Sequence, residues 1–177
     1  MHDFDAAREQ LGLPRGAPIL ESIRARPHEA PHLLAQLDHW EAALAEEALV
    51  AEGAEDLLSC LAHNGAQVGI LTRNTKQLAL RTLEVVGLRG FFNSLNVLGR
   101  ECATPKPSPD GIRQILDRWG AEAGGAVMVG DYLFDLQAGR AAGAMAVWVD
   151  VAGANCFATE ADLVVRSLGE LGAMTDL

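Results

Sequence analysis

The sequence predicts an α/β fold, a doubly wound parallel sheet preceded by a small helical segment. Short unbroken apolar runs at 68–71, 126–129 and 144–149 read as strands buried on both faces, because a half-exposed strand would alternate. Segments of helical length, with apolar residues three and four apart, separate those runs. Residues 1–50 show the helical spacing alone. Strands that alternate with helices about ten residues long form parallel sheets.

Asp3 or Asp5 is placed to cap a first helix ending near Gly12, ahead of Pro14. Pro27 and Pro31 bracket the start of a longer helix. Its Leu33, Leu34, Leu37, Trp40, Ala43 and Leu44 form one apolar stripe, while Glu41, Glu46 and Glu47 face water. Residues 1–50 are therefore one helical unit and 51–177 the α/β core. In the core, a helix over 52–63 turns Leu57, Leu58 and Leu61 inward and stops at Asn64-Gly65. The strand 68–71 follows, then a helix over 75–86 stopped by Gly87. Residues 94–98 suggest a strand, and a proline-rich loop at 104–109 leads to a helix ending near Trp119. After the strand 126–129 come a helix over 133–142, the strand 144–149, a last short strand at 162–165 and a terminal helix.

Fourteen basic against 24 acidic residues leave a formal charge of −10. Such a field disfavours nucleic acid and anionic membrane surfaces as partners. It also repels anionic substrates, so any phosphate site has to be built locally. Cys60, Cys102 and Cys156 form no CxxC pair, and an odd count argues against a disulfide framework. They read as small buried residues of a reducing, cytoplasmic setting. No run approaches the ~18 apolar residues of a membrane span, and no basic-then-apolar signal pattern opens the chain. His28, His32 and His39 lie on or near the longer helix of residues 1–50, with His32 and His39 seven apart, and metal ligation there would want a third ligand. Trp40, Trp119 and Trp148 read as packing residues.

Ligands of open parallel sheets bind beyond the carboxyl ends of the strands. Three polar blocks sit there. Thr72-Arg73-Asn74 follows the first strand: a hydroxyl there can donate to a phosphoryl oxygen beside free amides of the next helix, or Asn74 or Thr75 simply caps that helix. Thr104-Pro105-Lys106-Pro107-Ser108-Pro109 holds Lys106 on a stiffened backbone, with Pro109 at the helix start. Gly130-Asp131-Tyr132-Leu133-Phe134-Asp135 places two carboxylates four apart at a strand end. Oxygen ligands so placed suit Mg²⁺, which takes one or two carboxylates plus water and phosphate; alternatively Asp135 caps the helix and Asp131 is solvated. Gly139 and Gly143, with Ala138, Ala141 and Ala142, let this helix approach its neighbours closely.

The order Thr72, Lys106, then Asp131 with Asp135 resembles the second, third and fourth motifs of the haloacid dehalogenase superfamily. The GDxxxDxxAGxxAG pattern from Gly130 to Gly143 points to its phosphoglycolate-phosphatase-like branch, and the likeness covers residues 50–165. The resemblance implies a Rossmann-type core and a Mg²⁺-dependent hydrolase of small phosphorylated metabolites. It implies that Thr72, Arg73, Asn74 and Lys106 face the phosphate, with Thr72 and Lys106 catalytic, and that Asp131 and Asp135 serve the metal. Residues 1–50 then resemble the family's small helical cap, whose apolar stripe has two candidate partners: the core or, in a homodimer, a second copy.

The family's first motif, an apolar strand ending in DxDGT, supplies the nucleophilic and the acid/base aspartates. No nucleophile is found in this chain. Asp3-Phe4-Asp5 has the DxD spacing but no strand before it and Ala6-Ala7 after it. That motif's strand is central in the family, so its lack would leave the strands at 68–71 and 126–129 about two spacings of ~4.8 Å apart, with unpaired backbone groups. The expected explanation is a start assigned too late, with about 15–25 further residues for one strand and its loop. The alternative from another class is a non-catalytic relative that binds phosphate or a protein. A receiver domain fits less well, because its phospho-accepting Asp precedes its Thr and Lys. No GxGxxG supports a dinucleotide-binding domain.

Overall fold

In the computed structural model, which describes residues 4–175, three helices account for most of the first 47 residues. These are α1 (Phe4–Gln10), α2 (Ile19–Arg24) and α3 (Ala30–Glu46). Leu11, Leu13, Leu20, Ile23, Leu33 and Leu37 bury one another, with Leu34 and Trp40 at the margin. The α3 stripe is thus covered by its own unit. Ala43 differs from expectation: it is exposed, and Ala45 takes the buried position. Arg8 Nε donates to the Ala17 carbonyl at 2.8 Å and Arg26 Nη2 to the Gly12 carbonyl at 3.1 Å, satisfying the connection between α1 and α2. Asp5 lies inside α1, where it accepts from Arg8 Nη1 at 2.8 Å; Asp3 is outside the described residues.

The second unit begins at Ala48. It runs α4 (Ala54–His63), β1 (Ile70–Leu71), α5 (Lys76–Val85), β2 (Val97–Leu98), α6 (Asp110–Trp119), β3 (Val127–Gly130), α7 (Leu133–Ala142), β4 (Met145–Val149), β5 (Leu163–Val165) and α8 (Leu168–Thr175). All strand pairings are parallel, as the α/β reading requires. The sheet is in two pieces, with the gap between β1 and β3 that the lack of a DxDGT strand led us to expect. Ile70 and Leu71 pair with Val97 and Leu98, while β3, β4 and β5 form the other piece in that order. Among the described residues no ladder joins β1 to β3.

That division explains two departures from the sequence reading. Val68 and Gly69 are not part of β1, whose only partner is the two-residue β2. A run expected to be buried on both faces is also an edge strand: Val127 is 55% exposed and Met128 to Gly130 only half-buried, because β3 pairs with β4 alone. Burial on both faces is reached instead in β4, where Ala146, Val147 and Trp148 are enclosed.

Helices bridge the two pieces. Leu57 of α4 packs with Val147 and Val165, while Ala54 on the same helix packs with Val97. On α6, Ile112, Ile115 and Leu116 join Leu71, Leu98 and Ala138 of α7. Gly139 permits the close approach of α7 to β3, since a Cβ there would lie 2.8 Å from that of Met128. Gly143 ends α7 at φ +87°, a conformation that favours glycine. No helix among the described residues is long and apolar enough to cross a membrane.

At the end of β4, Asp150 is buried and accepts the amides of Ala154 and Asn155, each at 3.0 Å, together with Arg166 Nη1 at 2.5 Å. Burial pushes this carboxyl upward, but the two amides and the guanidinium outweigh it and hold it below the usual carboxylate value. A depressed folded-state pKa contributes stability above the unfolded value of about 3.9, and loses it as pH falls through the folded one. Asp150→Asn is therefore expected to flatten the acid limb of a stability–pH curve below about pH 4, read by urea unfolding across pH 2–7. An unchanged acid limb would remove Asp150 from that role. Leu136, fully buried beside Ala146 and Trp148, offers a second test. Leu136→Ala is expected to cost about 2–5 kcal/mol, measured by the shift of the urea midpoint.

Candidate functional site

The polar blocks of the core converge at the carboxyl ends of β1, β2 and β3. The β1 end is set by pairing: the Thr72 amide donates to the Leu98 carbonyl at 3.0 Å, one residue beyond the ladder. The Thr72 hydroxyl oxygen then accepts the Asn74 amide at 3.1 Å, which folds the chain into a tight turn. Thr75 caps α5 by accepting the Leu78 amide at 3.2 Å. The Lys76 amide is also taken, by Glu101 Oε1 at 2.9 Å. The start of α5 is therefore less open to an anion than the sequence suggested. Glu101 was not singled out in the sequence, since an exposed Glu in a loop carries no pattern.

The loop after β2 is held at both ends. The Thr104 amide donates to Asp110 Oδ2 at 2.8 Å. That bond is the main cause holding the Asp110 carboxyl below its ordinary value; burial opposes it, and Gln114 and Arg113 assist it. The Ser108 hydroxyl accepts the Asp110 amide at 3.3 Å, so α6 starts one residue after Pro109. The Lys106–Pro107 peptide bond is cis. So held, Lys106 extends inward and its ammonium pairs with Asp135 Oδ1. The two side chains are only 11% and 7% exposed.

Asp135 stands in the first turn of α7. Its Oδ2 accepts the Tyr132 amide at 3.0 Å, so the same carboxylate caps the helix and neutralises the lysine. Gly130 makes room for it: a Cβ there would lie 2.2 Å from that of Asp135. Asp131 is exposed, and among the described residues no group donates to its carboxylate. Its backbone is fixed nonetheless, because Trp148 Nε1 donates to its carbonyl at 3.2 Å. Phe157 continues the support, 5.4 Å from Trp148 and 5.6 Å, edge to face, from Tyr132. Neither Trp148 nor Phe157 was identifiable as a neighbour of the site in the sequence, since strand pairing and the 150–157 loop bring them there.

Arg73 spans the blocks. Its guanidinium donates to the Lys106 carbonyl and lies 4.8 Å from the centroid of the Phe134 ring. The structure thus gathers Arg73, Lys106 and Asp135 directly, with Thr72, Asn74 and Asp131 on the adjoining turns.

Two observations bear on a divalent cation. Asp131 presents open oxygen ligands, while both oxygens of Asp135 already accept hydrogen bonds. No group of three or more His, Cys, Asp or Glu side chains that could hold a metal occurs among the described residues. The pair suits Mg²⁺, which draws most of its ligands from water and phosphate, better than a cation caged by protein.

The buried pair predicts a large stability effect. Lys106→Met strands the Asp135 carboxylate away from water, at a cost of about 3–5 kcal/mol. The double variant Lys106→Met/Asp135→Leu should recover most of that loss, and a double-mutant cycle in urea measures the coupling. Additive single effects would show that the pair is not energetically coupled.

Comparison with known proteins gives consistent findings. The family model described as haloacid dehalogenase-like hydrolase matches residues 5–149. A phosphoglycolate phosphatase of Chromobacterium violaceum is 31% identical over 188 aligned positions, covering 94% of this chain and 84% of that protein. The pyrophosphatase PpaX of Bacillus velezensis is 31% identical over 110, covering 60% and 50%. With this and a second PpaX, the chain spans only about half the relative's length, 50% and 56%. The crystal structure of a hydrolase from Pseudomonas syringae shares the fold, with a TM-score of 0.80 over 98% of this chain and 88% of that one, at 20% identity.

Proposed function

Because the chain belongs to the haloacid dehalogenase-like hydrolase family, we propose that it is the phosphate- and Mg²⁺-binding part of a phosphomonoester hydrolase acting on small phosphorylated metabolites. The observation that carries this reading is the buried Lys106–Asp135 pair at the strand ends, with Thr72 on the turn after β1 and the open Asp131 carboxylate at the end of β3. A buried ion pair seldom stabilises a protein more than an apolar pair of similar size. A lysine so buried and held in place at the strand ends is better explained by an anion that it meets.

In this reading Thr72 donates its hydroxyl proton to a phosphoryl oxygen, with the Asn74 side chain beside it. Lys106 offsets the charge that gathers on the transferring group, as fixed cations do in phosphoryl transfer. Asp131 holds Mg²⁺, with Asp135 aligning the site through Lys106 and the Tyr132 amide. The bound metal would supply charge neutralisation at the phosphoryl oxygens. Residues 1–50 serve as the cap that selects the leaving group.

Transfer through an aspartyl-phosphate requires a carboxylate that attacks phosphorus and a second acid that protonates the departing oxygen. These 177 residues contain no DxDGT segment, so in this reading both groups come from polypeptide outside them. The relatives' names supply the candidate substrates, first phosphoglycolate, a phosphomonoester, and second pyrophosphate, a phosphoanhydride.

The test is turnover of a general phosphomonoester with Mg²⁺. The 177-residue chain is expected to give none above background. A form extended by an in-frame apolar run ending in DxDGT should be active, and Asp131→Ala in that form should lower kcat by about 10²–10³-fold. Robust turnover by the 177 residues would refute the assignment of the nucleophile. No turnover in either form would favour a non-catalytic phosphate- or protein-binding module.

A further inference from the structure

We infer that Arg73 is a positioning residue, which holds Lys106 against Asp135 between two strand ends that are not neighbours in the sheet, rather than a ligand of the phosphate. Its role in turnover rests on the phosphate-site reading above; its geometry does not.

β1 and β2 form one piece of sheet, and β3 to β5 another. Within a continuous sheet, backbone hydrogen bonds set the positions of adjacent strand ends to a fraction of an ångström. Lys106 follows β2 and Asp135 follows β3, two strands that share no hydrogen-bond ladder. Their meeting therefore depends on packed helices and on side chains.

Arg73 is attached to both. It donates to the carbonyl of Lys106, and its guanidinium lies 4.8 Å from the centre of the ring of Phe134, the residue next to Asp135. Its own backbone is anchored, because the preceding Thr72 amide joins Leu98 and the Arg73 carbonyl accepts Arg100 Nη1 at 3.3 Å. With Pro105 and Pro107 limiting rotation on either side, fixing the Lys106 carbonyl fixes the direction in which that side chain leaves the loop. A planar guanidinium can donate within its plane and stack with its face at once. An ammonium has no planar face and no fixed fork, so it does not reproduce both contacts in the same geometry. An arginine already engaged in both ways is poorly placed to bind phosphate as well.

The chain's composition makes the test clean, because Lys76 and Lys106 are the only lysines. Brief acetylation with acetic anhydride, followed by peptide mass spectrometry, reports the reactivity of Lys106 with Lys76 as internal reference. This reading needs no substrate. In the unaltered chain Lys106 should react at least tenfold more slowly than Lys76. In both Arg73→Met and Arg73→Lys that protection should fall at least fivefold, with little change in the urea midpoint. Affinity for inorganic phosphate with Mg²⁺, followed by ³¹P NMR, should fall about equally in the two variants.

Unchanged protection of Lys106 in Arg73→Met would overturn the inference. Phosphate affinity restored by Arg73→Lys alone would also overturn it, since a charge-bearing ligand tolerates that exchange and a stacked clasp does not. If either variant fails to fold, Phe134→Leu removes the stacking surface and leaves the hydrogen bond. It should expose Lys106 partially, and full protection there would count against the clasp. Should the unaltered chain bind no phosphate at all, the functional reading fails, and the acetylation result still decides the role of Arg73.

Discussion

Lys106 and Asp135 face each other with little water around them, at a place where the sheet supplies no continuous backbone ladder. Removing charges from water is expensive, and their mutual attraction offsets that cost only when the geometry is good and the remaining lone pairs are satisfied. Each feature of the site meets one of those conditions. The Tyr132 amide takes the second oxygen of Asp135, Gly130 leaves the space that the carboxylate occupies, and the Thr104–Asp110 bond closes the loop that carries Lys106.

The packing around this pair is organised differently. α4 reaches apolar residues of both sheet pieces, as does the α6–α7 pair. Dispersion and burial hold the pieces together, but such contacts are non-directional. Directional order at the strand ends comes from a few polar ties, among which Arg73 and Lys106 cross the division. In an acidic chain this arrangement also localises positive charge where the overall field would repel an anion.

Much of the placement of the candidate site's residues was readable beforehand. Thr72 directly follows an apolar run, Lys106 lies between prolines, and Asp131 and Asp135 stand in the block after another run; ligands of open parallel sheets bind beyond such strand ends. The supporting residues were not readable. Glu101 at the Lys76 amide, Trp148 under the Asp131 backbone and Phe157 beside Tyr132 meet their partners through tertiary packing. Periodicity reports which side of an element is buried, not what lies opposite. The α3 stripe shows the same limit: its spacing marked an apolar face, and only the fold showed α1 and α2 covering it.

The 126–129 run marks the boundary between the two kinds of information. Its composition determined that it would be a strand, in parallel pairing and followed by a helix, because β-branched apolar residues bounded by glycine and acidic residues favour that local structure. Whether such a strand lies inside a sheet or at its edge depends on a second partner that no local pattern encodes. β3 has one partner, and Val127 is exposed in consequence. Local chemistry therefore determined the elements, their order and the identity of the charged groups at the strand ends, and the lack of a DxDGT strand already marked the gap between β1 and β3. Tertiary structure alone decided that Asp135 meets Lys106 while Asp131 stays open, and that an arginine reaches from one strand end to the other.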